Sequence, residues 1–378
     1  MISAGEASGD AAAAGLVSCL KTISPGLDFF GLGGREMERQ GVRLLAESSR
    51  IAVTGVAEII PALGRIMATL RVLRKALKRR KPQALILVDF PDFNFRLAKT
   101  ARKLNIPVIY YIVPQVWAWR QGRIAFLKRN ISHLVVILPF EEEWFQARGL
   151  STTYAGHPLA DGTDSDREAK EVFLAGLGLD PQRPVVALLP GSRTNEIKRT
   201  LPLLREAVRI LKEKRPELQF LVPAAPGRDP RGIETSFQGL PVKVVQGRGR
   251  EVLAAGRAAL VCSGTATLEA ALALTPLVMF YRLSPLTYSL RHFFQGIETY
   301  SLPNLIAGKK VITELIQERA TPRNLVEELL PLLDDGPARS EMLAGLREVK
   351  TRIGPPGGAC RAAESIAAHL NGPGAGTN

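Results

Sequence analysis

Cysteine, histidine and aromatic residues are scarce in this chain of 378 residues, which contains three cysteines, four histidines and 6% aromatic residues. The cysteines, Cys19, Cys262 and Cys360, are odd in number and widely spaced, which excludes a disulfide-rich scaffold. No CxxC pair or Cys/His cluster is present, so we expect no structural zinc site. The longest apolar run, 270–281, contains Pro276 and has about half of the roughly 20 residues that a membrane-spanning helix needs.

Acidic residues are in deficit, because 50 Lys and Arg face 36 Asp and Glu and leave a net charge of +14. This charge favours anionic partners such as nucleic acid, acidic lipid or phosphorylated ligands. The hydrophobic share of 46% is that of an ordinary soluble protein and excludes disordered classes. The first residues lack the basic and apolar regions of a signal peptide. We therefore expect a cytoplasmic protein, with association with a membrane surface left open.

Short apolar runs alternate with amphipathic segments, and the length suits two or three domains. Runs that are apolar at nearly every position are typical of strands buried on both faces of a parallel sheet. The alternation of strand and helix patterns predicts an α/β fold with doubly wound sheets. The clearest strands are 84–88, 108–112, 134–138, 185–189, 220–222, 242–245, 259–262 and 277–280; the clearest helices are 95–104, 201–214 and 266–273.

A polar, turn-rich stretch at 158–184 predicts a boundary between two similar α/β halves. The tail is different, because two helical patterns at 339–352 and 360–370 are separated by the Gly/Pro-rich break 354–358. The expected domains are therefore a first half at 1–160, a second half at 161–338 and a helical tail at 339–378.

Three loops rich in glycine and small residues, 5–10, 190–193 and 263–269, are candidates for binding phosphate. The last two directly follow predicted strands, where backbone N–H groups and helix N-termini meet anions in α/β sheets. Small residues let the backbone approach a phosphate, hydroxyl groups add donors and Arg193 adds a cation. Each loop alone is more typical of a tight turn before a capped helix. Two of them in one half, one carrying an arginine, predict a diphosphate site.

Two carboxylates follow the predicted strand 84–88, on a loop stiffened by Pro91. Asp89 and Asp92 would stand at the carboxyl end of the strand, where a general base can be held against a substrate hydroxyl group. The alternative is that Asp89 caps a turn and Asp92 caps the following helix.

Trp117 and Trp119 alternate in a segment that follows another predicted strand, with Arg120 and Arg123 close behind. This pattern could form a sugar-facing or acyl-facing wall beside cations, although ordinary core aromatics are the alternative. His157 lies at the boundary between the two halves, and a lone histidine is more often structural than functional.

One segment has the pattern of a basic amphipathic helix. Its apolar positions recur at helical spacing from Ile59 to Leu77, and 61–81 carries eight cations and no acid. Such helices are typical of membrane surfaces, but a helix packed on a sheet with a solvated basic face fits equally. The predicted membrane contacts are Leu63, Ile66, Met67, Leu70, Arg71, Leu73 and Arg74.

Taken together, these motifs closely resemble those of the lipid-A-disaccharide synthases, glycosyltransferases of lipopolysaccharide biosynthesis. Any one segment would be weak, but the set runs in the family's order along most of the chain. The matching segments are 5–10, 91–94, 114–120, 138–141, 156–158, 189–193, 263–269 and 301–305.

The resemblance implies a GT-B architecture, in which two Rossmann-like domains face a cleft, and an inverting transfer. UDP-2,3-diacylglucosamine and 2,3-diacylglucosamine 1-phosphate would give a β-1,6-linked disaccharide 1-phosphate and UDP. Asp92 matches the proposed catalytic base. The implied UDP-side residues are Ser192, Arg193, Ser263, Gly264, Thr265, Thr267, Glu269 and Asn304; the implied substrate-side residues are Glu6, Ser8, Asp10, Asn94, Gln115, Trp117, Arg120 and His157.

The resemblance also implies partners and a location. We expect no cofactor and no metal, because helix N-termini and Arg193 can balance the diphosphate and the DxD at 164–166 falls in the boundary stretch. The enzyme would work peripherally on the cytoplasmic face of the inner membrane, bind no nucleic acid and form a homodimer. The C-terminal helices would cross back to the first domain.

Other readings stay open. A nucleotide-sugar epimerase, or a glycosyltransferase of peptidoglycan precursors, would share the fold. The charge of +14 also fits a nucleic-acid-binding protein, but 61–81 lacks the interleaved aromatic residues that such proteins use. A non-catalytic nucleotide-sugar sensor is a third alternative.

Overall fold

The computed structural model describes residues 1–50, 59–119, 121–161, 167–225, 229–282 and 299–371. The chain divides into two compact units, Met1–Asp161 with Pro355–Asn378, and Gly162–Gly354. The chain therefore passes from the first unit to the second after Asp161, one residue from the expected boundary. Each unit is a parallel α/β sheet with helices, as the alternating pattern predicts.

The sheet of the first unit has seven parallel strands in the order β3-β2-β1-β4-β5-β6-β7. Its central strands are buried at every position, which is why they read as continuous apolar runs. The strands are β1 Ile2–Ala4, β2 Phe30–Gly33, β3 Arg43–Glu47, β4 Leu85–Val88, β5 Val108–Tyr111, β6 His133–Val136 and β7 Thr152–Tyr154.

Helices cover both faces of this sheet, and two of them start at prolines, which suit the first turn because no N–H is needed there. The helices are α1 Ala7–Ile23, α2 Arg35–Arg39, α3 Ile59–Arg80, α4 Pro91–Lys103, α5 Val116–Trp119, α6 Ile124–Asn130 and α7 Pro139–Gln146.

The sheet of the second unit has six parallel strands in the order β10-β9-β8-β11-β12-β13. The strands are β8 Val185–Leu189, β9 Gln219–Ala224, β10 Val242–Gln246, β11 Ala258–Cys262, β12 Leu277–Tyr281 and β13 Thr313–Ile316. The helices are α8 Arg167–Gly176, α9 Thr194–Lys214, α10 Arg231–Ser236, α11 Gly249–Ala255, α12 Ala266–Leu272, α13 Leu302–Ala307, α14 Pro322–Leu333 and α15 Pro337–Ile353.

The strand orders create one topological switch point in each sheet. In the first unit the chain leaves β1 in one direction and β4 in the other, and in the second unit β8 and β11 do the same. Ligands in such sheets bind beyond the carboxyl ends of these strands. The loops 5–10 and 89–92 leave one switch point, and 190–193 and 263–265 leave the other.

The tail differs from the expected single crossing unit. Helix α15 packs on α12 and α13 and belongs to the second unit, whereas α16, Gly358–Asn371, packs along α1 in the first unit. The chain therefore returns to the first unit between Gly354 and Pro355, in the Gly/Pro-rich break that separates α15 from α16. A disulfide joins Cys19 on α1 to Cys360 on α16, a pairing that a sequence separation of 341 residues concealed.

The apolar stripe of α3 mainly packs on the sheet. Leu70, Leu73 and Leu77 are buried in the core that α3, α4 and the central strands share. The prediction that Leu70 and Leu73 contact a membrane is therefore wrong, since the stripe that seals this core has the same spacing as a membrane-facing stripe. Leu63 and Val72 are 48% and 47% exposed. Ile66 and Met67 are half-buried, Arg71 is exposed, and Arg74 donates to the carbonyl of Arg96.

Candidate active site

A cavity of about 410 Å³ opens at the switch point of the second sheet. Its wall is built from the loops that follow β8, β9, β10 and β11. These loops contribute backbone N–H groups and small side chains, which suit the close approach of a phosphate. The residues that line the cavity include Gly191, Ser192, Glu196, Arg248, Arg250, Ser263, Gly264, Thr265 and Glu269.

The loop after β8 requires its glycine. Gly191 has a φ of +104°, a conformation that side chains rarely adopt. A Cβ atom built there would lie 3.0 Å from the Glu196 carboxylate and 3.4 Å from the Cys262 sulfur. The backbone can therefore run close to the floor of the cavity only with glycine at this position.

Arg193 stands at the mouth of this loop. Its side chain is 80% exposed and its guanidinium group lies 3.2 Å from the carboxylate of Glu196, a residue that lines the cavity. The Arg193 backbone N–H also donates to Glu196, so one carboxylate caps the N-terminus of α9 and holds the arginine at the rim. The arginine is placed beside the cavity, as predicted, but as a rim residue.

The loop after β11 divides the predicted UDP-side residues into two groups. Ser263, Gly264, Thr265 and Glu269 line the cavity. Thr267 does not, because it is fully buried and its hydroxyl group donates to the carbonyl of Gly264 at 2.8 Å. The prediction of a ligand contact for Thr267 is therefore wrong, and this residue shapes the turn instead. Burial raises the pKa of Glu269, which makes its carboxyl group easier to protonate beside an anion.

Asn304 lies outside the nucleotide cavity and lines a separate cavity of about 300 Å³ with Lys310 and Glu314. Its side chain is buried, accepts hydrogen bonds from the backbone N–H groups of Val311 and Ile312, and donates to Glu314. These bonds occupy the amide in holding the loop 308–312 against β13. Sequence reasoning misplaced Asn304 because its partners lie seven to ten residues further along the chain.

Sequence reasoning missed two arginines of the cavity. Arg248 and Arg250 follow β10 in the segment Gly247-Arg248-Gly249-Arg250 and line the wall. Arg248 adopts a left-handed backbone with a φ of 51°, and its guanidinium group stacks over Phe173 at 4.3 Å. The alternation of glycine and arginine directly after a strand was the available signal.

At the switch point of the first sheet, two consecutive residues are strained. Asp89 and Phe90 have φ values of 46° and 51°, in the left-handed region that phenylalanine rarely occupies. The Asp89 carbonyl accepts hydrogen bonds from Asn94 at 2.7 Å and from the Tyr110 hydroxyl at 2.8 Å. Burial, and then the nearby charge of Glu6, raise the pKa of Asp89. A rigidly held carboxylate with a raised pKa is typical of a general base.

Asp92, the predicted base, lies in the first turn of α4 and its side chain is 77% exposed. Its carboxylate accepts a hydrogen bond of 2.5 Å from Arg123, whose guanidinium group also stacks on Phe95. Asp92 thus faces solvent at the carboxyl end of β4. The Asp92 carboxylate is therefore open to solvent and is not buried against the first sheet.

Asn94 and His157 are buried. Asn94 is fully buried and both atoms of its amide are bonded within the protein, so the prediction that it contacts substrate is wrong, whereas the role of His157 stays a prediction. Asn94 binds the Ser3 hydroxyl group and donates to the Asp89 carbonyl, so it fixes the strained turn. The His157 Nδ1 accepts from the backbone N–H of Leu159, and burial lowers the pKa of His157 to about 4. The Asn94 amide is thus bonded to Ser3 and to the Asp89 carbonyl, and the Nδ1 of His157 is bonded to a local backbone N–H.

A second cavity, of about 520 Å³, lies beyond the ends of β1, β2 and β3 and is lined by Glu6 and Asp10. Glu6 is exposed, and so is Ser8 in the first turn of α1. Asp10 is buried, and its carboxylate accepts from the backbone N–H groups of Gly34 and Glu36 at 2.6 and 3.0 Å. Asp10 therefore caps α2, and its role in forming this wall is structural.

The segment that carries Trp117 follows β5 and lies at the same edge of the first sheet as the loop after β4. The Trp117 indole donates to Glu141 at 2.9 Å and meets Phe140 edge-on at 5.0 Å. Burial raises the pKa of Glu141 to about 7. Gln115, two residues before Trp117, is exposed. Arg120 and the side chain of Trp119 lie outside the described residues.

Two further findings concern the described residues alone. No group of three His, Cys, Asp or Glu side chains in them could hold a metal ion. None of their helices has the length and hydropathy of a membrane span.

Solved structures show which class of fold this is. CalG4, a calicheamicin glycosyltransferase, is 17% identical, covers 95% of this chain and 94% of its own, and has a TM-score of 0.61. MurG of Acinetobacter baumannii is 14% identical, with 97% and 98% covered and a TM-score of 0.59. MnaA of S. aureus, solved with UDP, is 12% identical, with 98% and 96% covered and a TM-score of 0.65. The chain therefore has the GT-B fold, as do the glycosyltransferases CalG4 and MurG.

The sequence itself is matched more specifically. The family model of lipid-A-disaccharide synthetase matches residues 1–369. The lipid-A-disaccharide synthase of Myxococcus xanthus (strain DK1622) is 45% identical over 368 residues, which are 97% of this chain and 96% of the relative. That of Anaeromyxobacter dehalogenans (strain 2CP-C) is 42% identical over 369 residues, with 97% and 96% covered. The chain belongs to the lipid-A-disaccharide synthase family, UDP-sugar-dependent glycosyltransferases of lipid A synthesis.

Proposed function

We propose that this enzyme joins UDP-2,3-diacylglucosamine to 2,3-diacylglucosamine 1-phosphate and releases UDP. The acceptor's 6-hydroxyl oxygen attacks the anomeric carbon of the donor, the bond to the diphosphate breaks, and a β-1,6 linkage forms with inversion. The hydroxyl proton passes to an enzyme carboxylate. The observation that carries this proposal is the match of the family model over residues 1–369, which includes the loops at both switch points.

The donor's UDP is assigned to the cavity of the second unit. Gly191 and Gly264 let backbone N–H groups approach a phosphate, and Ser192, Ser263 and Thr265 add hydroxyl groups. Arg193 at the rim and Arg250 in the wall supply positive charge for the departing diphosphate. We propose that these groups act without a cofactor.

The proton acceptor is assigned to the loop after β4. The sequence favours Asp92, and the structure offers Asp89 as a second candidate with stronger support. Asp92 is exposed, and its carboxylate is engaged in an ion pair with Arg123. Burial, and then the nearby charge of Glu6, raise the pKa of Asp89. Three hydrogen bonds hold its strained backbone, because its carbonyl accepts from Asn94 and Tyr110 and its N–H donates to the carbonyl of Tyr111. We therefore propose Asp89 as the base and Asp92 as a partner that holds Arg123 at the acceptor side.

Both substrates are phosphorylated amphiphiles, so the enzyme is proposed to take them from a membrane surface. The exposed side of α3 combines Leu63 and Val72 with Arg71 and Lys75. Each cation near an anionic surface contributes roughly 1 kcal/mol. The homodimer and the peripheral location stay predictions.

The direct test supplies both diacylated substrates and follows UDP release, with the product's anomeric configuration read by NMR. The proposal predicts a β-linked disaccharide 1-phosphate formed in step with UDP. A sugar epimerised at C2, formed without disaccharide, would favour the nucleotide-sugar epimerase interpretation instead. UDP binding without turnover would favour the sensor.

A further inference from the structure

A third cavity, of about 760 Å³, lies in the second unit between α9 and α10. Its volume falls in the range of small-molecule sites. We call it the α9–α10 groove. Its lining is Thr194, Ile197, Lys198, Leu201, Pro202 and Arg205 from α9, and Asp229, Gly232, Ile233 and Ser236 from or beside α10.

The floor of the groove is apolar. Leu201 and Ile233 are buried, Ile197 is half-buried and Pro202 is exposed on the wall. Gly232 faces the opening, and no atom lies within 4 Å of a Cβ built on it. A glycine there keeps the groove wide. At a rise of 1.5 Å per residue, the α9 wall from Thr194 to Arg205 is about 16 Å long.

The two ends of the groove are different. At one end, Arg205 donates to the carbonyls of Ser236 and Gln238 at 2.5 and 3.2 Å and ties α9 to the end of α10. At the other end, Thr194 is two residues from Ser192, which lines the nucleotide cavity. The two cavities lie on different sides of the first turns of α9, because Glu196 lines the nucleotide cavity whereas Thr194 and Ile197 line the groove.

We propose that the α9–α10 groove holds a fatty acyl chain of the donor, which rests on the proposed function and extends its donor site. A diacylated sugar attached to UDP must place apolar chains near the nucleotide cavity, and this apolar groove reaches Thr194 at the start of α9, two residues from Ser192 in the wall of that cavity. Lys198 at the rim adds positive charge on the side of the anionic headgroup. Burying each methylene group of a chain strengthens binding several-fold.

The test compares equilibrium binding of UDP, UDP-glucosamine without acyl chains, and UDP-2,3-diacylglucosamine. Wild-type enzyme should bind the diacylated donor at least about ten-fold more tightly than the unacylated one. Gly232→Trp, which fills the groove where there is free space, should abolish most of this preference and leave UDP affinity unchanged. Gly176→Trp, at an exposed glycine with equally free space on α8, is the matched control and should keep the preference.

Ile197→Ser is a milder variant that loses part of the preference without adding bulk, and it serves if Gly232→Trp lowers the melting temperature. Equal affinity for the two donors in wild-type enzyme would overturn the proposal. So would a full preference in both groove variants. A wild-type chain that binds no UDP would instead remove the proposed function, and the groove proposal with it, so the two failures are distinguishable.

Discussion

The two sheets have the same switch-point topology, but the loops at those points carry different chemistry. Beyond β1 and β4 stand carboxylates, with Glu6 beside Asp89 and Asp92 on the next turn. Beyond β8 and β11 stand glycines, hydroxyl groups and the rim arginine Arg193. Topology places both edges where ligands meet a parallel sheet, and the difference in loop composition is the reason for proposing a proton acceptor at one edge and a UDP site at the other.

The largest effect is expected at the carboxylate edge. Asp89→Asn removes the proposed base and should lower kcat by about 10²–10⁴-fold. Asp92→Asn is the matched variant three residues away and should cost about ten-fold or less, since it releases Arg123 without removing the proton acceptor. Steady-state kinetics with both lipid substrates measures the difference. The reverse order of effects would return the base to Asp92.

The second prediction concerns the arginines at the edge of the second sheet, where UDP is proposed to bind. Arg250→Ala and Arg193→Ala should each weaken UDP binding about ten-fold or more, because a hydrogen bond to a charged group contributes roughly 1.5–3 kcal/mol. Arg323→Ala is the control, an 83% exposed arginine paired with Glu327 in the same unit. Calorimetric titration with UDP reads all three. An unchanged affinity in Arg250→Ala would remove this residue from the site.

A third prediction concerns the helix beside the first edge. Leu63→Ser with Val72→Ser removes exposed apolar area from α3 and should weaken binding to anionic vesicles several-fold while the melting temperature stays near wild type. Leu73→Ser changes a fully buried residue and should instead destabilise the fold by about 2–5 kcal/mol. Vesicle flotation and thermal unfolding separate the two outcomes. Equal vesicle binding in the exposed double variant would leave α3 with a structural role alone.

The smallest effect is a shift of pH dependence. The charge of Glu6 raises the pKa of Asp89, and a base works only when deprotonated. Glu6→Gln removes that charge and lowers the pKa of Asp89, so the acid limb of kcat/KM should move to lower pH. A limb that stays in place, or moves upward, would separate Glu6 from the proton acceptor.

The architecture was predictable because strands buried on both faces are continuous apolar runs. All eight predicted strands are present, with ends within two residues of those expected. The loops 190–193 and 263–269 were found because glycine and hydroxyl residues directly follow such runs. Strands β3 and β7 were not predicted, since their half-exposed positions give no continuous apolar run.

The roles of single residues were harder to predict. Sequence cannot show that Asp89 has a left-handed backbone, and this conformation distinguishes it from Asp92. Nor can it show that the side chains of Asn94 and Asn304 are used up by backbone groups, or that the stripe through Leu73 faces the sheet. In each case the deciding partner is distant in sequence or depends on a backbone angle.

The proposed separation between a proton acceptor after β4 and a UDP site at the second sheet is tested most directly by measuring UDP affinity and turnover on the same two variants. The account predicts that Asp89→Asn binds UDP within about two-fold of wild type while turnover collapses. It predicts that Arg250→Ala loses UDP affinity about ten-fold or more. Full turnover in Asp89→Asn, or a loss of UDP binding in that variant, would contradict the separation of proton acceptor and nucleotide site.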